Sequence, residues 1–280
     1  MVARTYDGTA LCVEAIGDRV DPAILLIAGA AATMDLWDDE LCERLADGGR
    51  LVIRYDHRDT GRSTTHPPGT PPYTGSDLAE DAIAVLDALE IARAHLVGMS
   101  MGGGLAQELA FTNRERIATL TLVSTTAIDF EREDLPGMTD ALRATFAEPQ
   151  PDPDWSDRDA VIEYLVESER PFASPGDFDE ARARARAERV YDRSTDPAAA
   201  ANHWSISGDG PEPGDVSTLR DLPTLVLHGT ADPFFPIEHG RSLAARIPGA
   251  RLIELDGVGH QVPPPRTWDL VVAALLDHTA

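Results

Sequence analysis

The 280-residue chain contains no lysine: its 24 basic side chains are all arginine, set against 48 aspartates and glutamates. A net charge of −24 at pH 7 offers no positive footprint for a phosphate backbone, which argues against nucleic-acid partners. Without lysine there is no G-K-[ST] phosphate loop either. Cysteine is nearly missing. Cys12 and Cys42 make no disulfide framework, and neither CxxC nor HExxH spacing occurs, so no metal site and no cofactor are expected. Two isolated thiols suit a reducing compartment. No run approaches the ~20 apolar residues of a membrane helix, and MVARTYDGTALCVEAIG lacks the roughly 7–15-residue apolar stretch of a signal peptide. A cytoplasmic protein, monomer or homodimer, with no membrane partner is the expectation.

What is present is an alternation. Short apolar runs occur at Ala23–Ala28, Leu51–Asp56, Ala94–Val97, Ile117–Ser124, Thr224–His228 and Arg251–Leu255. They suit strands covered on both faces. Amphipathic segments at Leu36–Leu45, Ser76–Leu89, Met101–Phe111, Ile237–Ile247 and Arg266–Leu276 separate them. Such alternation predicts βαβ units, an α/β fold and a mostly parallel central sheet flanked by helices. Between about Ala127 and Leu219 the pattern becomes helical, charged and punctuated by proline, with Glu180–Arg193 reading as a solvated helix. The expected organisation is a core domain from residues 1–126 and 220–280, with residues 127–219 inserted as a helical cap.

Gly98-Met99-Ser100-Met101-Gly102 is a G-x-S-x-G pentapeptide between the strand AHLV and the helix MGGGLAQELAF. A turn that abrupt holds the serine in a strained conformation, with its hydroxyl exposed above the sheet. A dinucleotide reading fails, because the third glycine position after Gly102 and Gly104 is Gln107.

A serine nucleophile needs a base, and the base an orienting acid. Of eight histidines, His260 alone follows a strand's carboxyl end, after the serine, through a flexible turn, Asp256-Gly257-Val258-Gly259. Ligands gather at such ends in open α/β sheets. His57, His66 and His95 precede the serine, His203 lies in the insertion, His228 is internal to a strand, His239 is on a helix and His278 is near the terminus. Asp232 follows the strand TLVLH and is the expected acid, with Asp129 as competitor. The oxyanion donors are expected to be the backbone N–H groups of Met101 and of Ala30, in the loop after AILLIA.

Together LLIAGA, VIRYDHRDTGRST, LVGMSMGG, PTLVLHGTADPFFP and ELDGVGH resemble the α/β-hydrolase superfamily. Within it, Val52–Thr65 and the serine turn are similar to the aclacinomycin methylesterase family. The resemblance implies an α/β-hydrolase fold with a helical cap and removal of a methyl ester from an aromatic polyketide glycoside. It also places nucleophile, acid and base on Ser100, Asp232 and His260, and oxyanion donors on Ala30 and Met101. The loop departs from the usual His-Gly-X pattern, reading Gly29-Ala30-Ala31. The reading is a serine hydrolase acting on a small-molecule ester. C–C bond or lactone hydrolysis, perhydrolysis and acyl transfer with the same residues are alternatives, and a non-catalytic ligand-binding protein is a further one. Selection of substrate is assigned to the insertion, whose large side chains include Phe146, Trp155, Tyr164, Phe172, Tyr191 and Trp204. Substrate-binding candidates are Trp155, Tyr191 and Trp204, with Trp37 and His57 from the core.

Overall fold

Five consecutive apolar residues, Ala23–Ile27, form a strand in which every position is buried, as a strand covered on both faces requires. The computed structural model describes residues 1–128, 134–174, 176–206 and 214–280, and among these residues eight strands share one sheet. They are β1 (Val2–Arg4), β2 (Ala10–Ile16), β3 (Ala23–Ile27), β4 (Leu51–Tyr55), β5 (Ala94–Met99), β6 (Ile117–Val123), β7 (Thr224–Gly229) and β8 (Arg251–Leu255). Their order is β1-β2-β4-β3-β5-β6-β7-β8. β1 and β2 pair antiparallel, and β3 to β8 run parallel.

Side-chain alternation along the strands builds two core layers. Ile24 and Leu26 face one side, with α1 (Asp39–Asp47) and α8 (Trp268–His278). Leu25 and Ile27 face the other, with α2 (Gly75–Ala88), α3 (Met101–Thr112) and α7 (Ile237–Arg246). The antiparallel strands β1 and β2, at one side of the sheet, were absent from the apolar pattern. β2 reads ALCVEAI with only Leu11 and Val13 buried, so it carries a weak signal of one-sided burial.

The chain steps from β3 outward to β4 and then returns to β5 on the opposite flank of β3. Connections therefore diverge above β3 and β5, and a crevice opens at their carboxyl ends.

Between β6 and β7 come α4 (Asp140–Ala147), α5 (Arg158–Glu169), α6 (Glu180–Arg193) and 3₁₀ segments at Arg170–Phe172, Pro197–Trp204 and Val216–Asp221. α5 and α6 pack through Ile162, Val166, Ala183 and Ala187. α6 departs from the solvated helix read from its composition. Arg193 at its end donates to Asp35 Oδ2 at 2.7 Å and to both oxygens of the wholly buried Asp56, at 3.0 and 2.7 Å. Val216 and Leu219 are buried in the sheet's own core layer. Asp129, the competing acid, lies outside the described residues.

Candidate active site

Ser100 caps α3 with φ 52° and ψ −117°, a conformation that L residues hold only when their surroundings enforce it. The enforcement is backbone against backbone. A Cβ on Gly98 would lie 2.2 Å from the Gly102 carbonyl oxygen, and one on Gly102 would lie 2.3 Å from that of Ile27. Only glycine lets β5, α3 and β3 approach so closely. The Ser100 N–H donates to Val123 O at 2.9 Å, and Thr125 Oγ1 donates to the Ser100 carbonyl at 2.9 Å.

The Ser100 hydroxyl lies 3.0 Å from His260 Nε2, and His260 Nδ1 lies 2.9 Å from Asp232 Oδ2. A carboxylate partner at Nδ1 holds the proton there and leaves the Nε2 lone pair facing the serine. Asp232, its side chain wholly buried, accepts through Oδ1 from the N–H groups of Phe234 and Phe235 at 2.9 and 2.8 Å. Two donors fix the rotation of its carboxylate. Beneath it, His228 lies within 2.7 Å of the Phe235 carbonyl through Nε2, which closes the 232–235 turn. Burial pushes the His228 pKa below its usual range.

The turn bearing His260 is stitched to the insertion. The His260 N–H donates to Phe172 O at 2.7 Å and Ser174 Oγ to Gly257 O at 2.6 Å. A Cβ on Gly259 would lie 2.4 Å from Phe172 O, so this glycine permits the contact.

Met101, the first residue of α3, has an N–H with no intrahelical acceptor, beside the Ser100 hydroxyl. Ala30 lies in the loop after β3. Gly29 touches the serine, since a Cβ there would be 3.5 Å from Ser100 Cβ.

The profile of the alpha/beta hydrolase fold family matches residues 22–263. The chain is an α/β-hydrolase. The rhodomycin D methylesterase of Streptomyces sp. (strain C5) is 36% identical over 98% of this chain and 96% of its own length. That of Streptomyces peucetius is 34% identical over the same shares. Among solved structures, the enol-lactonase from Burkholderia xenovorans LB400 superposes with a TM-score of 0.74 at 26% identity, covering 99% of both chains.

This α/β-hydrolase brings together Ser100, His260 and Asp232, with Met101 next to the serine in the chain and Ala30 next to Gly29. Trp37 is 2% exposed and belongs to the core layer of α1 and α8, so a pocket role does not fit it. His57 is wholly buried, 3.1 Å from the Ala28 carbonyl through Nε2, and burial pushes its pKa down to about 3. Its Nε2 contact supports the loop that follows β3. Trp155 packs on Tyr164 with ring centroids 5.4 Å apart, and Tyr191 joins the α5–α6 cluster. Both contacts lie within the insertion itself. Trp204 is different: it meets Phe146 at 6.0 Å, and Phe146 meets Phe172 and Phe234 at 6.1 and 6.0 Å. Phe234, Phe235 and Phe172 in turn lie 5.0, 5.6 and 5.9 Å from the His260 ring.

Phe234 and Phe235 were not singled out from sequence, although they directly follow the acid's own turn. His203 was passed over as a residue of the insertion, yet it touches the loop of Ala30. Among the described residues no three His, Cys, Asp or Glu side chains are gathered to hold a metal ion, and no helix is long and apolar enough to cross a membrane.

Proposed function

We propose that this carboxylic ester hydrolase removes the methyl group from the ester of a bulky, partly aromatic small molecule through a Ser100 acyl-enzyme. The single observation that carries the mechanism is the hydrogen-bonded series from Ser100 Oγ to His260 to Asp232. His260 Nε2 takes the hydroxyl proton as Oγ attacks the ester carbon. Negative charge moves to the carbonyl oxygen, where the N–H groups of Met101 and Ala30 stabilise it. His260 then gives its proton to the departing methoxide, releasing methanol. A water enters, gives a proton to the same nitrogen and attacks the acyl carbon, and His260 returns that proton to the departing Ser100 oxygen, leaving the free acid and the original enzyme. Asp232 keeps the imidazole oriented and offsets its positive charge without accepting the proton.

In this reading residues 127–219 act as a lid, with Phe146, Phe172 and Trp204 joining Phe234 in an aromatic wall beside the base. Planar acyl groups pack well on such a surface. The two methylesterase relatives, similar across nearly the full chain, support methyl-ester cleavage. Lactone opening is the second reading, favoured by the enol-lactonase neighbour alone.

Hydrolysis of aromatic methyl esters in oxygen-18 water tests the proposal. Label is expected in the acid and not in the methanol, with a burst of methanol before steady state whenever deacylation is slow. Label in the methanol, or turnover of lactones with none of any methyl ester, contradicts it.

A further inference from the structure

We infer that His203 is a positioning residue for the oxyanion loop, holding the Ala30 N–H in place by accepting a hydrogen bond from the next residue, Ala31. The inference rests on the proposed reading in which Ala30 and Met101 bind the oxyanion.

The Ala31 N–H donates to His203 Nδ1 at 2.9 Å. His203 Nε2 lies 2.8 Å from the Arg58 carbonyl, which can only accept. The ring therefore carries its proton on Nε2 and presents a bare Nδ1 to the loop. It is 6% exposed, and burial pushes its pKa down, favouring the neutral form that this arrangement needs. The loop is tied at both ends. His57 meets the Ala28 carbonyl at 3.1 Å, and the two imidazoles pack edge to face at 5.8 Å.

Ala31 needs such a tie. Its φ of 60° is left-handed, which an alanine holds only where its surroundings over-determine it. The bond to His203 also commits the Ala31 N–H, leaving that of Ala30 as the donor for substrate. The tie reaches the loop because the insertion is seated next door. Wholly buried Asn202 donates to Asp59 Oδ2 at 2.8 Å and accepts from the Gly69 N–H at 2.7 Å. Trp204, on the other side, joins the aromatic wall. One short segment thus links lid seating, the oxyanion loop and the substrate wall.

Two isosteric half-replacements separate positioning from space filling. The amide oxygen of asparagine reaches the place of Nδ1, whereas the amide of glutamine reaches the place of Nε2. His203→Asn is expected to stay within about 3-fold of wild-type kcat, because it keeps the acceptor for Ala31. His203→Gln keeps only the Arg58 partner, and its kcat is expected to fall roughly 10- to 100-fold with KM changed less than about 3-fold. Inhibition by a trifluoromethyl ketone, whose adduct carries an oxyanion, should weaken in step with kcat. Equal losses in the two variants, or a loss confined to KM, overturn the inference. In the wild-type protein, isotope-labelled NMR should show scalar coupling across the Ala31 N–H···Nδ1 bond, and a proton on Nδ1 overturns the inference even if a variant fails to fold. Failure of the underlying reading looks different: Ser100→Ala would then retain turnover, whatever the His203 variants do.

Discussion

At the carboxyl edge of the sheet the decisive contacts are backbone on backbone. Gly98 meets Gly102, Gly102 meets the end of β3, and a Cβ on Gly229 would lie 2.1 Å from the Val258 carbonyl. The insertion above touches that edge through a few backbone contacts, such as the His260 N–H to Phe172 O, but its own helices are joined by side chains. Arginine–carboxylate pairs such as Arg158–Asp192, Arg184–Glu163 and Arg186–Glu169 run across its helices, and ring contacts lead from Trp204 through Phe146 to Phe172, which meets the base. Backbone contacts allow almost no adjustment, so they suit atoms that must stay within a few tenths of an ångström. Exposed ion pairs contribute about 0–1 kcal/mol each and rearrange readily. On the proposed reading, chemistry belongs to the edge of the sheet and choice of substrate to the insertion.

The contrast breaks first if the edge can lose a group and keep its rate. Ser100→Ala should lower kcat by about 10⁶ for every ester, with folding unchanged by circular dichroism. Asp232→Asn should cost about 10⁴ in kcat by favouring the wrong imidazole tautomer, read in the same assay. Comparable loss for either variant on only one substrate would move selection into the edge.

Arg193 sits where the two regions join. Arg193→Met strands the buried Asp56 carboxylate, which keeps only the N–H groups of Met34 and Arg62. Stability should fall by about 3 kcal/mol in urea unfolding. A much smaller loss would mean that the lid is seated by other contacts. Within the insertion, Trp204→Ala and Phe146→Ala should reduce kcat/KM for a bulky aromatic ester roughly 10- to 200-fold and leave a short acetate ester nearly untouched. Parallel losses on both substrates would make the wall a structural cover.

The smallest effect concerns the support under the loop. His57 has its folded pKa pushed down to about 3, against an ordinary value near ~6.5. Between those values the unfolded chain binds a proton that the folded one refuses, so stability falls as pH is lowered. His57→Gln should flatten that dependence by up to one proton, about 1.4 kcal/mol per pH unit. Urea unfolding at several pH values between roughly 4 and 6.5 reads the slope, and parallel slopes would show that His57 takes its proton in the folded state.

The same contrast explains how much was legible in the amino-acid sequence. The runs that became β3, β4 and β7 are buried at every position because both faces are covered, and Ser100, Asp232 and His260 each stand just beyond a strand. Local pattern and site therefore coincide. β1 and β2 escaped notice because their burial is one-sided, with Ala3, Leu11 and Val13 their only buried residues. Trp37 lies in a core layer, since nearness to a strand end does not say which way a side chain turns. The bond from Ala31 to His203 spans 172 positions, and no local pattern marks such a partner. Of the three aromatics chosen on size, Trp204 reaches the ring series around Phe146, whereas Trp155 and Tyr191 pack on neighbours within the insertion.

The account depends most on which serine forms the covalent bond. Incubation with an activated alkylphosphonate, followed by intact and peptide mass spectrometry, should show one adduct per chain, on the peptide bearing Ser100, and none in Ser100→Ala or after prior occupation by substrate. An adduct on another serine, persisting in that variant with turnover intact, would contradict the assignment of chemistry to the turn after β5.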